Sequence, residues 1–213
     1  MIRRLALALV LGGCATTQST TTSAGPQAAA RAARDYYPLA VGNRWRYDVK
    51  ILGATQALDV ALTKAEQGAF VDSMGNRLQT DAYGVRDERR YLLREPIAAG
   101  TSWTNVVSVS SVERYQILSV GESCEVAAGR FEDCVAVESR NRESESRELV
   151  ARFTFARGIG LVRVATELRD GQKQIPQSNL ELVAYGLQGP GGSRFGGSLP
   201  PPPDVGAAPT APR

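Results

Sequence analysis

The chain contains no histidine in 213 residues. That absence excludes Ser-His-Asp triads, Cys–His pairs and His-ligated zinc or iron, the commonest routes to hydrolysis and metal chemistry. Tryptophan and methionine occur only twice each, and cysteine three times. No apolar run reaches the roughly 20 residues a membrane-spanning helix needs. No stretch sustains an amphipathic helical period. Charge of one sign is lacking too: the formal net charge is +3, and removal of Arg3 and Arg4 with a leader leaves +1. A balance this even sets up no strong field, so no nucleic-acid partner is expected.

The composition that remains, 43% hydrophobic and 22% charged, is that of an ordinary globular chain with one or at most two domains. Met1 to Arg4 form a basic start, Leu5 to Leu11 a short apolar run, and Gly12 and Gly13 precede Cys14. This is the layout of an export signal. Leu11-Gly12-Gly13-Cys14 also resembles the lipobox of bacterial lipoproteins, which implies acylation of Cys14 by palmitate-class chains and membrane attachment through it. The alternative is an ordinary secretory signal with an incidental cysteine. Ala15, in place of the aspartate that often retains lipoproteins at the inner membrane, implies the periplasmic face of the outer membrane.

Residues 1–13 are thus expected as a lipoprotein signal peptide, and residues 14–34 as lipidated Cys14 with a flexible tether rich in Thr, Ser, Ala and Gln. Residues 35–187 are expected as one β-domain, and residues 188–213 as a disordered Gly/Pro-rich tail. From Gly189 onward the chain holds seven of its eleven prolines, including Pro200-Pro201-Pro202-Pro203, a polyproline II run. The tail reads as a spacer, with a partner-binding epitope as the alternative.

The domain's main signal is period two. Trp45, Tyr47, Val49 and Ile51 alternate with Arg46, Asp48 and Lys50, and Leu58, Val60 and Leu62 follow a turn at Gly53. Further strands are expected at Phe70-Val71, Leu78 to Val85, Arg90 to Leu93, Val106 to Val112, Tyr115 to Val120, Cys124 to Val126, Cys134 to Glu138, Val150 to Phe155, Leu161 to Leu168 and Leu180 to Tyr185. Pro38 to Val41 could carry one short helical turn. Many short strands with turns at this spacing predict an all-β fold, an antiparallel, strongly curved sheet closed as a half-barrel, clam or barrel.

Two octapeptides punctuate this pattern. Pro38-Leu39-Ala40-Val41-Gly42-Asn43-Arg44-Trp45 recurs as Pro96-Ile97-Ala98-Ala99-Gly100-Thr101-Ser102-Trp103, with Pro, Ala, Gly and Trp in register. They are expected to open two successive meanders, with Gly42, Gly100, Trp45 and Trp103 in structural roles. Each indole is read as a plug for its own core; the alternative is stacking on a sugar or an acyl chain.

Tyr37 to Tyr47 resembles the opening of an uncharacterised family of bacterial periplasmic lipoproteins. Three later features of that family are matched: Leu92-Leu93 before the second octapeptide, Ala127-Ala128-Gly129-Arg130-Phe131 in a tight hairpin, and Phe155 to Val162 leading a late strand. The resemblance implies an open antiparallel β half-barrel, broadly similar to lipoprotein-carrier and lipid-binding periplasmic domains, and brings no catalytic residues.

Cys124 and Cys134 lie equally far from Gly129, so a hairpin centred there sets them opposite each other. A disulfide is expected in an exported protein, with free buried thiols or a redox pair as alternatives. The mixed-charge run Arg140 to Glu148 reads as a solvated hairpin loop rather than an acid–base or cation site. Asp72 to Asn76 reads as a turn rather than a calcium loop, and Asp87 to Arg90 as a polar turn. Gly158-Ile159-Gly160 lacks the third glycine of a nucleotide loop. No metal ligand or cofactor site is expected. The function these features favour is a non-catalytic, lipid-anchored binding or scaffolding module that meets an envelope protein or component. The alternatives are a carrier holding a lipid or other apolar ligand in its concave face, and a carboxylate-based hydrolase.

Overall fold

Alternation of large apolar with charged residues gives each strand one face that must leave water and one that must not. In the computed structural model, which describes residues 30–189 and 192–199, thirteen strands satisfy this demand in one antiparallel sheet. They are β1 (Arg44–Ile51), β2 (Ala54–Glu66), β3 (Ala69–Asp72), β4 (Arg77–Asp81), β5 (Gly84–Arg86), β6 (Tyr91–Arg94), β7 (Ser102–Ser108), β8 (Ser111–Val126), β9 (Gly129–Arg142), β10 (Arg147–Ala156), β11 (Gly160–Asp170), β12 (Lys173–Leu187) and β13 (Arg194–Gly196). The one helical element among the described residues is a 3₁₀ turn at Ala33–Tyr36, earlier than the Pro38–Val41 position expected for it.

The strand order is β6-β5-β4-β3-β2-β1-β12-β11-β10-β9-β8-β7, with β13 paired to β12. Two six-stranded meanders, β1–β6 and β7–β12, are therefore joined through the β1–β12 ladder and curl into a nearly closed barrel. In β1 the interior side chains are Trp45 and Tyr47, both buried, while Arg46 crosses to Asp59 on β2 in a bidentate pair at 2.8 and 2.7 Å. The β1–β2 connection is the two-residue turn Leu52-Gly53, with φ of +48° and +91°, the conformation that matches strand twist in a tight hairpin.

The two octapeptides adopt the same local structure. The N–H of Gly42 donates to Leu62 O and that of Leu62 to Asn43 O; the N–H of Gly100 donates to Ile117 O and that of Ile117 to Thr101 O. The side chains of Asn43 and Thr101 each donate to the carbonyl of the proline five residues earlier, both at 2.8 Å. Gly42 and Gly100 hold φ of +91° and +90°, a conformation a side chain at either position would strain.

Two expected strands and one expected turn differ. The run Leu78 to Val85 is broken because the Asp81 carboxylate accepts the N–H groups of Tyr83 and Gly84, which turns the chain between β4 and β5. Val106 to Val112 is broken at Val109-Ser110, and β7 starts instead at Ser102. The β8–β9 turn is Ala127-Ala128, not Gly129, which is the first residue of β9 with φ of +135°. Cys124 therefore pairs with Phe131, and Cys134 with Glu122. A bulge makes up the offset: Asp133, at φ +57°, adds a residue to β9 and swings Cys134 back toward Cys124. The two form a disulfide with Cα atoms 6.1 Å apart. Cys14, the tether through Ala29 and the tail from Pro200 lie outside the described residues. Beyond Leu187 the chain still contributes β13, whose Gly196 pairs with Tyr185.

Candidate functional site

Trp45 and Trp103 are 3% and 5% exposed, so neither presents a ring to solvent. Their indole N–H groups donate to Ile159 O at 2.8 Å and Tyr91 O at 2.9 Å. Between them runs a chain of rings: Trp45 to Tyr37, then Phe155, Phe153, Tyr115 and Trp103, with successive centroids 6.2, 6.2, 6.4, 6.0 and 5.2 Å apart. These six rings fill the interior from one octapeptide to the other. Tyr37 is raised to about 12, by burial above all. Tyr115 is raised by burial first and by the neighbouring Glu113 carboxylate second. Both are neutral at physiological pH.

The filling stops part-way along β8–β10. Register sets three rows across these strands: Ile117, Val137, Phe153; then Tyr115, Ser139, Ala151; then Glu113, Asn141, Leu149. The first row is core. In the second, Ser139 and Ala151 are small and adjacent, so side-chain volume is missing beside the Tyr115 ring. Leu92 on β6, with Arg90 and Asp87 from the preceding loop, covers this gap without filling it. The result is a mostly apolar cleft of about 210 Å³, open to solvent on one side.

A polar collar rings the opening. Arg90 donates to both Glu113 oxygens, at 2.8 and 3.0 Å, and its Nη1 lies 3.9 Å from Asp87. The Tyr115 hydroxyl donates to Glu113 at 2.9 Å, and Asn141 Nδ2 to Ser111 at 3.1 Å. The bond to Glu113 is the main cause that holds Arg90 above its ordinary value. The collar is thus largely satisfied by its own members, and among the described residues no buried side-chain polar atom lacks a partner. No group of His, Cys, Asp or Glu there could hold a metal ion.

The same region closes the barrel. β6 and β7 share no backbone ladder. Instead the Asn105 carboxamide takes both backbone groups of Tyr91, accepting its N–H at 3.0 Å and donating to its C=O at 3.1 Å. At the opposite end, the β8–β9 hairpin tip docks on β12, where Ala128 N–H donates to Leu182 O at 3.0 Å. The disulfide sits at the base of this tip, and Cys134 and Val126 join the Trp45 core.

The sites singled out from sequence are not brought together. Trp103 borders the cleft through Tyr115. Trp45, Gly42, Gly129 and the disulfide belong to the other end, and Gly100 opens β7. Arg90, Glu113, Ser139, Asn141 and Leu149 were not singled out as a site. One signal for them existed: β8 reads Ile117, Tyr115, Glu113 and β9 reads Val137, Ser139, Asn141, so both inner faces turn polar at the same level.

No family model and no curated protein matches the chain. Among solved structures, it is similar to a protein assigned as a lipoprotein from Parabacteroides distasonis ATCC 8503, at 12% identity, with 70% of this chain and 97% of that one covered and a TM-score of 0.39. It is also similar to a protein assigned as exported, with a YmcC-like fold, from Bacteroides fragilis NCTC 9343, at 14% identity with the same coverage and TM-score. At these values neither bears on the residues of the cleft.

Proposed function

We propose that this protein is a non-catalytic binding module, held at the outer membrane by acylated Cys14 and presenting its barrel to a partner in the bacterial envelope. The observation that carries this reading is the filled interior. Six rings in series occupy the concavity, four of them stacked, and the cleft beside Tyr115 measures about 210 Å³. Pockets that enclose a whole small ligand run to roughly 300–1,000 Å³. A carrier has to shield its entire cargo, and this space is too small for that. The hydrolase alternative needs two carboxyl groups whose environments push their proton affinities apart. Asp87 and Glu113 both line the cleft, yet they share one neighbour instead of two contrasting ones: the Arg90 guanidinium lies 2.8 Å from Glu113 and 3.9 Å from Asp87.

Native mass spectrometry of protein purified gently from envelopes tests the proposal. A protein or envelope component recovered with the wild-type chain, and lost from the envelope fraction together with it in Cys14→Ser, is the expected result. Recovery with one fully enclosed lipid per chain would replace this reading with the carrier.

A further inference from the structure

We infer that the cleft beneath β6 is a binding site for the terminal end of an acyl chain. The inference adds to the binding-module reading a small apolar ligand that the module holds by its tip, leaving the rest of the chain outside.

The argument starts from the shape of the gap. Its depth exists because Ser139 and Ala151 face each other across β9 and β10, between the large residues of the row below and Leu149 at the rim. Leu92, Leu149, Ala151, Phe153 and the Tyr115 ring make its surface mainly hydrocarbon. A volume of about 210 Å³ holds roughly seven groups the size of a water molecule, at ~30 Å³ each. Methylene groups are of that size, so a chain end of about seven carbons fits. The cleft is open to solvent on one side, and a chain end that covers its mainly hydrocarbon surface removes that surface from water, which favours an apolar occupant.

The collar argues against a polar ligand. Glu113 already accepts from Arg90 twice and from Tyr115 once, and Arg90 faces Asp87 as well. A charged headgroup entering here would have to break this set. A chain end asks for none of these bonds and passes between them. Polarity therefore orients the ligand, with its methyl end inward and its headgroup out.

The indole of Trp103, stacked at 5.2 Å on the Tyr115 ring that lines the cleft, is a built-in reporter. The experiment uses the purified full chain carrying Cys14→Ser, so that no covalent acyl group competes, and Trp45→Phe, so that Trp103 alone emits. It is titrated with 16-bromohexadecanoate and with 2-bromohexadecanoate below their micellar concentrations. Bromine at the chain end is expected to quench Trp103 saturably, and bromine beside the carboxylate several-fold less. Unbrominated hexadecanoate competes, and chains shorter than about seven carbons lose roughly fourfold in affinity per methylene removed. Ala151→Phe fills the gap and is expected to abolish quenching while circular dichroism stays that of the parent; if that variant does not fold, Leu149→Phe at the rim serves the same purpose. Equal quenching by the two isomers, no saturable quenching, or quenching that survives a folded filled variant overturns the inference. No partner protein is present, so this outcome is independent of whether envelope purification recovers one.

Discussion

Replacing Asn105 with alanine isolates the bonds that close the barrel. Asn105 is 5% exposed, and its carboxamide supplies the Tyr91 backbone with the acceptor and the donor that a neighbouring strand would otherwise supply. The substitution removes two hydrogen bonds of about 1 kcal/mol each. It also leaves the Tyr91 N–H without its acceptor, at a cost of about 1–3 kcal/mol, whereas the Tyr91 C=O keeps the Trp103 indole. At the low end of these values the sum is about 3 kcal/mol. For a domain of this size each kcal/mol moves the melting temperature by about 2–4 °C, so a fall of about 9 °C is expected in calorimetry. Amide hydrogen exchange should accelerate at Tyr91–Arg94 and not at β10, whose ladders on both sides are intact. Thr104→Ala, an exposed change one residue away, serves as the control and should stay within about 0.5 kcal/mol of wild type. A melting temperature lowered by less than 2 °C, with the Tyr91 amide unchanged, would refute the view that Asn105 completes the ring.

The remaining predictions concern other parts of the barrel. Cys124→Ser with Cys134→Ser should lower the urea unfolding free energy by about 3 kcal/mol, from closure of a loop with sequence separation 10, and a loss below 1 kcal/mol would sink that account. Burial raises Asp133, but bonds from Tyr36, Arg31 and Arg157 outweigh it and hold the carboxyl below its ordinary value. Its stabilisation is therefore present above the unfolded carboxylate range and is lost as pH falls below about 4; Asp133→Asn should flatten the acid limb of the stability curve. Tyr36 and Tyr37 are raised to about 12, chiefly by burial, so the unfolded state loses protons first as pH climbs past about 10. Stability should fall there, with unfolding by circular dichroism tracking tyrosinate absorbance. Between these limits the chain has no histidine to titrate, and stability should be level from about pH 5.5 to 8.5. Asn43, fully buried and bonded to both Pro38 O and Gln188 N–H, should cost about 3 kcal/mol on change to alanine, against about 1 kcal/mol for Thr101→Val in the second octapeptide.

The fold class was legible because each long strand carries its own alternation, and the paired octapeptides because glycine at positive φ and a buried indole need the same neighbours twice. The turns were less so. A break at Ala82-Tyr83 depends on where the Asp81 carboxylate points, and Val109-Ser110 contains no residue that demands a turn. The hairpin holding the cysteines misled by symmetry: equal spacing about Gly129 suggested facing residues, while a bulge at Asp133 and a turn at Ala127-Ala128 reach the same disulfide by another register. The cleft was hidden for a different reason. Its roof comes from residues 87–92 and its floor from residues 113–153, and only strand register brings Ser139 beside Ala151.

The ring is closed twice, by opposite means. Tyr91 and Asn105 are 14 residues apart and can meet as soon as both have been made. The β1–β12 ladder joins Arg44 to Gly186, so one flank of the earliest strand has to wait for β12, the last strand but one to be synthesised. Until then β1 and β11 each present an unpaired edge, the surface on which chains add to one another. Long-range pairing of this kind is slow. The vulnerable moment in this protein's life is therefore its birth, and a chain cut short before Lys173 is not a smaller barrel but an open sheet with two adhesive margins.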